Sequence, residues 1–511
     1  MLKFVSMKFH LFNSVVSWFL KKRIHQIELF LKYPIDVQYE VLDKLLQDAK
    51  NTKVGKKYQF DKISSYDAFV KSIPLQFYED IAPLIEQTRK GHQHIFWHSK
   101  IKWFAKSSGT TNAKSKFIPV SNEALEDCHY KAVKDMLCLY VNNNEDAKMF
   151  SGKNLRLGGS SETYENNGTY FGDLSAIIIE NLPLWADYSS APKQETALLS
   201  DWEIKMDRII KETIHEDITS LAGVPSWMLV LLNKVLEVTK KEHILEVWPN
   251  LEVYFHGGIN FNPYKKQFQK LIPKTDFKYY ETYNASEGFF AIQDRNYSDE
   301  MLLMLDYGIF YEFIDMDEFD GKNSPTIPLE KVKLNTNYAL VITTNAGLWR
   351  YIIGDTIVFT SLNPFRIKVT GRTKHFINAF GEELIIDNAE KALKLACEKT
   401  NSEIIEYTAA PIFMDTGSKG AHQWLIEFAI PPENLAFFTE VLDNSLKSIN
   451  SDYEAKRYLN ITLNLPKVTI AKKGLFYEWL KSKNKLGGQH KIPRLCNNRK
   501  IMEELLHLCE V

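Results

Sequence analysis

The chain has 511 residues, of which 45% are apolar and 25% are charged. This composition is typical of a globular protein that buries a large core, and the length predicts two or more domains. The 63 basic and 64 acidic residues nearly cancel, which gives no electrostatic reason to expect binding to nucleic acid or to an anionic membrane. Any anion-binding site must therefore be local.

The five cysteines are scattered along the chain without C-x-x-C spacing. An odd, unclustered set predicts neither a disulfide framework nor a zinc site, and it favours a reducing cytoplasm. The first twenty residues are rich in apolar side chains, but polar residues interrupt them and no signal cleavage site follows. We interpret them as an N-terminal helix, rather than a signal peptide or a spanning helix, in a protein that starts at Met1 or Met7.

The first part of the chain is predicted to be helical. Apolar residues recur at helical spacing within 24–92, for example in 37–49. Two short apolar runs follow, at 102–105 and 117–120, on either side of a segment rich in Ser, Thr and Lys. These runs predict two strands that form a hairpin-like unit around that segment.

Strands and helices alternate further along the chain. The uninterrupted apolar run 176–179 predicts a buried strand, and 227–238 predicts an apolar helix. The runs 251–255 and 278–283 predict two more strands. Ligands of mixed α/β sheets usually lie at strand ends, so we expect the residues that follow these strands to line a site.

A third pair of strands is predicted near the middle of the chain. Residues 338–343 and 349–353 flank a turn that contains glycine, and this pattern predicts a hairpin with Asp355 at its far end. The best boundary between domains is the segment 371–374. The predicted fold class is α/β.

The predicted domains are a large N-terminal one, residues 1–373, and a small α+β one, residues 374–511. The large domain is expected to contain mixed sheets. The small domain is predicted to open with two short strands within 375–386 and to continue with a helix that Asp387 caps.

The segment 106–116 is the most informative part of the sequence. It carries five hydroxyls, one glycine and three lysines. Glycine lets the backbone approach an anion closely, hydroxyl and N–H groups donate to its oxygens, and the ammonium groups offset its charge. The segment suits a polyphosphate, although such a loop can equally be a solvated turn. The Walker spacing and G-x-G-x-x-G occur nowhere in the chain.

Further motifs accompany this segment in a fixed order. The motifs are SSGTTNAKSK at 107–116, HGG at 256–258, YNASE at 283–287, YIIGD at 351–355, GRTK at 371–374 and GGQHKIPR at 487–494. With them the chain resembles the adenylate-forming enzymes and, among these, the auxin-responsive Gretchen Hagen branch of acyl acid amido synthetases. The resemblance spans nearly the whole chain.

The resemblance implies an ATP- and Mg²⁺-dependent ligase. It would adenylate a carboxylic acid and pass the acyl group to an amine, such as that of an amino acid, giving an amide, AMP and pyrophosphate. Two alternatives stay open: transfer to a coenzyme A or carrier thiol, and a protein that binds a nucleotide without catalysis. The acid is expected against 227–238 and 154–170. The expected partners are small molecules, with no nucleic acid and no membrane, and the expected state is a monomer or a weak homodimer.

The resemblance also implies which residues bind the nucleotide. They are Ser107, Ser108, Gly109, Thr110, Thr111, Lys116, Gly257, Gly258, Tyr283, Asn284, Ala285, Ser286, Asp355 and Arg372. The hydroxyls of 107–111 and Lys116 would hold the leaving phosphates. Asp355 would accept both ribose hydroxyls, and Tyr283 would stack on adenine. Arg372 would either assist at the ribose or form an ion pair at the hinge between the domains.

Metal binding and catalysis are assigned in the same way. Glu287 offers a hard oxygen to Mg²⁺, and Ser286 and Thr110 are assigned to catalysis at the phosphates. The C-terminal domain would act as a mobile lid that brings a lysine to the attacked carboxylate and the α-phosphate. Lys491 best matches that lysine, and Lys485 is the alternative.

Overall fold

The computed structural model describes most of the chain. The described ranges are 23–107, 116–158, 164–166, 168–181, 189–199, 201–259, 261, 264–373, 376–414, 418–458, 462–483 and 492–510. They form a mixed α/β fold with a large N-terminal domain and a smaller C-terminal domain. This confirms the predicted fold class. The predicted helix in the first twenty residues lies outside the described residues.

Helices make up most of the first hundred described residues and recur between the strands. The α-helices are α1 (Ile24–Lys32), α2 (Pro34–Ala49), α3 (Lys53–Lys57), α4 (Tyr66–Ser72), α5 (Tyr78–Arg89), α6 (Lys131–Asn143), α7 (Leu174–Glu180), α8 (Gln194–Ala197), α9 (Trp202–Thr213), α10 (Pro225–Thr239), α11 (Lys265–Leu271), α12 (Ile386–Thr400), α13 (Leu435–Ile449), α14 (Ser451–Arg457), α15 (Leu475–Ser482) and α16 (Lys500–Glu510). The predictions for 24–92 and for 227–238 are thereby confirmed. Over the described ranges, every helix is too short or too polar to cross a bilayer.

The strands follow the same chain order. They are β1 (Trp103–Ser107), β2 (Lys116–Val120), β3 (Lys153–Leu157), β4 (Tyr164–Asn166), β5 (Thr169–Gly172), β6 (Ser190–Ala191), β7 (Ile218–Gly223), β8 (Val253–Gly257), β9 (Lys278–Ala285), β10 (Gly288–Ile292), β11 (Met301–Leu303), β12 (Ile309–Asp315), β13 (Ile327–Pro328), β14 (Asn337–Thr344), β15 (Tyr351–Leu362), β16 (Phe365–Arg372), β17 (Phe376–Ile377), β18 (Leu384–Ile385), β19 (Glu403–Ile412), β20 (Ala421–Ile430) and β21 (Lys467–Ile470).

A large sheet organises the N-terminal domain. Among the described residues it has 12 strands, in the order β13-β12-β14-β15-β16-β11-β10-β9-β8-β7-β3-β6. Five neighbouring strands run parallel to one another: β6, β3, β7, β8 and β9. The next strand, β10, is antiparallel to β9. The sheet therefore changes from parallel to antiparallel at the β9–β10 hairpin, where the motif at 283–287 lies.

The predicted strands around the Ser/Thr/Lys-rich segment are present. β1 pairs antiparallel with β2, and Ser107 is the direct partner of Lys116. On its other side β1 pairs parallel with β5. The segment 108–115 lies outside the described residues, but the strands that begin and end it are now fixed next to each other.

The prediction of a buried strand at 176–179 is wrong. These residues belong to helix α7, in which Ala176, Ile177 and Ile179 are buried. A run of four apolar residues has no period that separates a strand from one turn of a buried helix. Here the helix follows directly on β5.

Two predictions near the C-terminal domain also need correction. The strands β14 and β15 pair as expected, but Asp355 lies within β15 and not at its end, opposite Arg372 of β16. The helix predicted after 386 is α12, yet Asp387 lies inside it. The side chain that accepts a hydrogen bond from the Ile385 N–H is that of Asn388, at 3.3 Å.

The C-terminal domain is built around a second, small sheet. β19, β20 and β21 form it, with β20 antiparallel to β19 and parallel to β21. Helices α12 and α13 pack against each other, and α14 follows α13. β16 ends at Arg372 and β17 begins at Phe376, and the exact domain boundary stays a prediction.

Arg350, which directly precedes the YIIGD motif, has a structural function. Its guanidinium donates to both carboxylate oxygens of Glu312, at 2.9–3.2 Å, and to the carbonyls of Val70 and Ile73. Both charged side chains are almost fully buried. The ion pair therefore joins helix α4 and the following turn to β12, the second strand from one edge of the large sheet.

Replacing Arg350 with methionine is expected to lower the free energy of unfolding by about 3–5 kcal/mol, because it leaves the Glu312 carboxylate buried without its cation. Chemical denaturation followed by tryptophan fluorescence would measure the loss. The matched control is the double variant Arg350→Met, Glu312→Gln, which should recover part of the stability. If the double variant is no more stable than the single one, the ion pair is not the cause.

Candidate active site

The motif residues of β9, β15 and β16 converge through their side chains, although β11 and β10 separate β9 from β16 in the large sheet. Asp355 is only 8% exposed and accepts two hydrogen bonds. Its Oδ1 accepts from the Nε of Arg372 at 2.9 Å, and its Oδ2 accepts from the hydroxyl of Tyr283 at 2.8 Å. These two hydrogen bonds hold residues that are far apart in sequence in one cluster.

Tyr283 contributes its hydroxyl as well as its ring. The side chain is 7% exposed, and its ring lies 4.8 Å from that of Phe290, centroid to centroid. Its hydroxyl fixes the orientation of the Asp355 carboxylate. The ring packs within the core on at least one side, and stacking on adenine stays a prediction for it.

Arg372 forms the ion pair that sequence reasoning left as an alternative. It contacts Asp355 and also Glu383, whose Oε1 lies 3.3 Å from its Nη2. The guanidinium lies 4.9 Å from the centroid of the Phe376 ring. Burial lowers the pKa of Arg372, but the carboxylates of Glu383, Asp355 and Glu287 raise it by more than burial lowers it. The net shift of the pKa is therefore upward. Arg372 is a permanent cation in the cluster.

A second charged pair lies beside this cluster. Glu287 and Ser286 form the tight turn between β9 and β10, and both side chains are half-buried. Burial raises the pKa of Glu287, while the ammonium group of Lys116 opposes that shift. Burial likewise lowers the pKa of Lys116, and Glu287 opposes it. The charges of Lys116, at the end of the Ser107–Lys116 segment, and of Glu287, the predicted metal ligand, therefore influence each other.

The glycines at the end of β8 permit a close approach of two strands. A Cβ atom on Gly257 would stand 2.5 Å from the Thr282 carbonyl oxygen of β9. Gly258 has a φ of +83°, in the left-handed region that favours glycine. The preceding His256 is buried against the ring of Phe261 at 4.0 Å, and burial lowers its pKa to about 3. This histidine is neutral and belongs to the core.

The remaining predicted residues divide into two groups. Asn284 is exposed on β9, and Ala285 is half-buried beside it. The backbone of Ser107 ends β1. The predictions for Ser108, Gly109, Thr110, Thr111, Lys485 and Lys491 fall outside the described residues and stay predictions.

Sequence reasoning missed two groups of this site. Glu383, the second partner of Arg372, lies eleven residues beyond it, outside every motif. Tyr351 stands in a motif but had no assigned role; its hydroxyl donates to Glu287 Oε1 at 3.5 Å. The aromatic residue that opens the YIIGD motif was the available signal for Tyr351, whereas no sequence pattern marks Glu383.

Family models match most of the chain. The model of the GH3 family N-terminal domain matches residues 23–277, that of the central domain matches 302–372 and that of the C-terminal domain matches 387–500. The chain is 22% identical to the indole-3-acetic acid-amido synthetase GH3.3 of Arabidopsis thaliana, over 92% of this chain and 90% of that protein. It is 21% identical to the jasmonoyl–L-amino acid synthetase JAR4 of Nicotiana attenuata, over 92% of each.

Solved structures share the fold. The acyl acid amido synthetase AtGH3.15 in complex with 2,4-DB aligns with a TM-score of 0.60, at 17% identity over 93% of both chains. A 2-hydroxyisobutyryl-CoA ligase aligns with a TM-score of 0.54, at 13% identity over 94% of this chain and 92% of that one. The family models cover most of the sequence and confirm the resemblance that the motifs indicated: the chain belongs to the GH3 family of adenylate-forming enzymes.

Proposed function

We propose that the protein is an ATP-dependent ligase that joins a carboxylic acid to the amine of an amino acid. In the first step a carboxylate oxygen bonds to the α-phosphorus of ATP, and pyrophosphate leaves. In the second step the neutral amine nitrogen bonds to the acyl carbon, AMP leaves and the amine proton passes to solvent. The products are an amide, AMP and pyrophosphate.

The observation that carries this proposal is the Tyr283–Asp355–Arg372 cluster beside the Lys116–Glu287 pair. A carboxylate held by two donors keeps lone pairs free for two ribose hydroxyls, because ionised carboxylates have about four acceptor sites. We propose that Lys116, at the end of the 107–116 segment, meets the leaving phosphates of a nucleotide whose ribose binds Asp355. The cluster thus offers one group to the sugar and one to the phosphates.

The carboxylate of Glu287 is a suitable ligand for Mg²⁺ in this site. The described residues bring no three His, Cys, Asp or Glu side chains together into a metal site of their own. Mg²⁺ commonly uses one or two carboxylates together with substrate phosphates and water, and the charge of Glu287 interacts with that of Lys116 at the end of the phosphate segment. We propose that Glu287 holds the ion jointly with ATP. The ion would offset the negative charge of the phosphates when it is bound.

The proposed function and its nearest alternative differ in the molecule that accepts the acyl group. Both an amido synthetase and a coenzyme A ligase share this fold, so the fold does not choose between amine and thiol. The names of the curated relatives favour an amine: one is a 4-substituted benzoates-glutamate ligase of Arabidopsis thaliana, 21% identical over 93% of this chain. We therefore propose an amino acid as the acceptor.

The experiment that tests the function is acid-dependent release of pyrophosphate from ATP across a panel of carboxylic acids. It is repeated with the twenty amino acids and with coenzyme A as acceptors, and products are identified by mass spectrometry. Amide formation supports the proposal, and thioester formation overturns the acceptor. ATP binding without pyrophosphate release for any acid would leave the nucleotide-binding alternative.

The proposal also covers the domains, the cellular compartment and the oligomeric state of the protein. We propose domains at 1–373 and 374–511, with the second acting as a lid that pivots near 371–374. All five cysteines are free, which supports a reducing cytoplasm. The monomeric or weakly dimeric state stays a prediction, and gel filtration with light scattering would measure it.

The role of Glu287 leads to a prediction about the metal. Glu287→Gln keeps the size of the side chain and removes its charge, so the Mg²⁺ concentration for half-maximal pyrophosphate release should rise about tenfold or more. Because burial raises the pKa of Glu287, the wild-type requirement should itself increase as the pH falls through that raised pKa. In the variant this pH dependence should disappear.

The matched control is Glu318→Gln, which removes a carboxylate from an exposed short helix (Met316–Glu318). It should leave the Mg²⁺ requirement as in the wild type. An unaltered requirement in a folded Glu287→Gln variant would make Glu287 an ordinary acid of the turn.

A further inference from the structure

Lys456 is a buried lysine outside every motif. It lies on α14 of the C-terminal domain and is 9% exposed. Its Nζ stands 4.1 Å from the centroid of the Trp227 ring, which belongs to α10 of the N-terminal domain. Within the described part of the chain, neither a carboxylate within 4.0 Å nor a hydrogen-bond acceptor meets this ammonium group.

The surrounding charges act on Lys456 only from a distance. Burial lowers its pKa, and Asp452, Glu382, Asp173 and Glu383 oppose that shift. Glu382 is already engaged, since it accepts from the ring of His422 at 2.8 Å and from two backbone N–H groups. A largely buried cation that contacts an aromatic face but neither a carboxylate nor a hydrogen-bond acceptor is only partly compensated. The position therefore suits an anion that arrives from outside the chain.

The position of Lys456 connects it with the candidate active site. Glu383 links it to Arg372 and so to Asp355. Asp173 follows directly on β5, which pairs in parallel with β1 so that Gly172 is the partner of Ala105. Asp173 thus lies level with the start of the phosphate segment. Both Glu383 and Asp173 act on Lys456 electrostatically, and its contact with Trp227 lies between the C-terminal and the N-terminal domain.

The stem of Lys456 is held in place by close packing. Gly381 has a φ of +89°, and a Cβ atom there would stand 3.2 Å from the Cε of Lys456. A hydrogen bond from the Ser226 hydroxyl to the Phe380 carbonyl, at 3.3 Å, joins the same two regions. The ammonium group is therefore presented at a defined place beside Trp227.

We propose that Lys456, beside the face of Trp227, binds the carboxylate of the acceptor amino acid. The other described cations of the site have other roles, because Lys116 is proposed to meet the leaving phosphates and Arg372 pairs with Asp355 and Glu383. The carboxylate of the acyl substrate loses its charge when the adenylate forms. The acceptor must attack as a neutral amine, so it brings one carboxylate that needs a cation. This inference rests on the proposed function.

The test compares acceptors that differ only in this carboxylate. Three pairs are used with the wild type and with Lys456→Met: glycine and glycinamide, L-alanine and L-alaninamide, and L-glutamate and its α-amide. For the pair that the wild type uses best, the ratio of kcat/KM for the acid to kcat/KM for the amide should fall roughly 10- to 100-fold in the variant, the effect of losing one charged hydrogen bond. Lys456→Arg should retain most of the ratio.

Two comparisons guard against a structural explanation. Methionine replaces the lysine with an apolar side chain of similar length, so thermal unfolding of Lys456→Met should occur at or above the wild-type temperature. Lys394→Met removes a charge from an exposed site on α12 of the same domain and should leave the ratio as in the wild type. Hydroxylamine, a small amine without a carboxylate, measures transfer that does not depend on the proposed contact.

Several results would overturn the inference. An equal loss for acid, amide and hydroxylamine means that Lys456 supports the fold or the lid. A rise in the KM for ATP as large as the fall in the acid-to-amide ratio means that Lys456 contacts the nucleotide. A loss of pyrophosphate release that is larger with succinate than with its monomethyl ester means that the bound carboxylate belongs to the acyl substrate. A wild type without acid-dependent pyrophosphate release instead refutes the proposed function.

Discussion

Replacing Asp355 with alanine is expected to weaken ATP binding at least about tenfold. The carboxylate would accept up to two ribose hydroxyls, and each charge-assisted hydrogen bond contributes roughly 1.5–3 kcal/mol in a partly dry site. Isothermal titration calorimetry with ATP would measure the loss. An ATP affinity equal to that of the wild type in a folded variant would refute the ribose role and weaken the proposed function.

The structure adds a cost in stability to this prediction. Asp355 accepts from the buried hydroxyl of Tyr283 and from Arg372. Alanine leaves the hydroxyl without its acceptor, so we expect the free energy of unfolding to fall by about 1–3 kcal/mol. Arg372 retains Glu383 as a partner. Asp355→Asn keeps the shape and an acceptor oxygen, and it should separate the loss of charge from the loss of packing.

Tyr283→Phe is the matched control for the cluster. It keeps the ring and removes only the donor to Asp355, so a stacking role of the ring would be preserved. ATP affinity should fall less than in Asp355→Ala, because the carboxylate remains. If Tyr283→Phe weakens ATP binding as much as Asp355→Ala, the orientation of the carboxylate, and not its charge alone, determines the affinity.

The parts of the fold that sequence reasoning predicted share strong local signals. The helices of 24–92 have apolar faces with a clear period, and α2 begins at Pro34, a residue that suits the first turn. β1 and β2 are short apolar strands on either side of a polar segment. The motif residues converge because β15 and β16 are neighbours in the large sheet and the side chain of Tyr283 on β9 reaches Asp355. The motifs alone do not reveal this arrangement.

The incorrect and missing predictions share a different cause. The run 176–179 is too short for its period to distinguish a helix from a strand, and packing after β5 decided in favour of the helix. The position of Asp355 within β15 depends on the length of the strand, which continues past Gly354. The contacts of Arg372 with Glu383 and of Lys456 with Trp227 are long-range or lie outside every motif. Only the folded arrangement brings these partners together.

The strongest mechanistic prediction concerns Lys491 in the proposed lid. Lys491 lies outside the described residues, and its role rests on the resemblance of 489–494 to the lid motif of the family. If this lysine stabilises charge at the α-phosphate during adenylation, Lys491→Ala should lower acyl-adenylate formation by roughly 10²–10³, the effect of losing one preorganised charged partner in the transition state. Rapid-quench measurement of pyrophosphate release would determine this rate.

The second half-reaction separates this role from a structural one. A chemically prepared acyl adenylate given to the Lys491→Ala variant with the correct amine should yield amide at nearly the wild-type rate, because the proposed lid would turn away from the phosphates for transfer. Lys485→Ala is the matched control, and it should leave adenylation close to the wild-type rate. If the two variants exchange these behaviours, Lys485 is the lid lysine. If Lys491→Ala slows both half-reactions equally, this lysine supports the fold or a shared site, and the two steps do not use different lid positions.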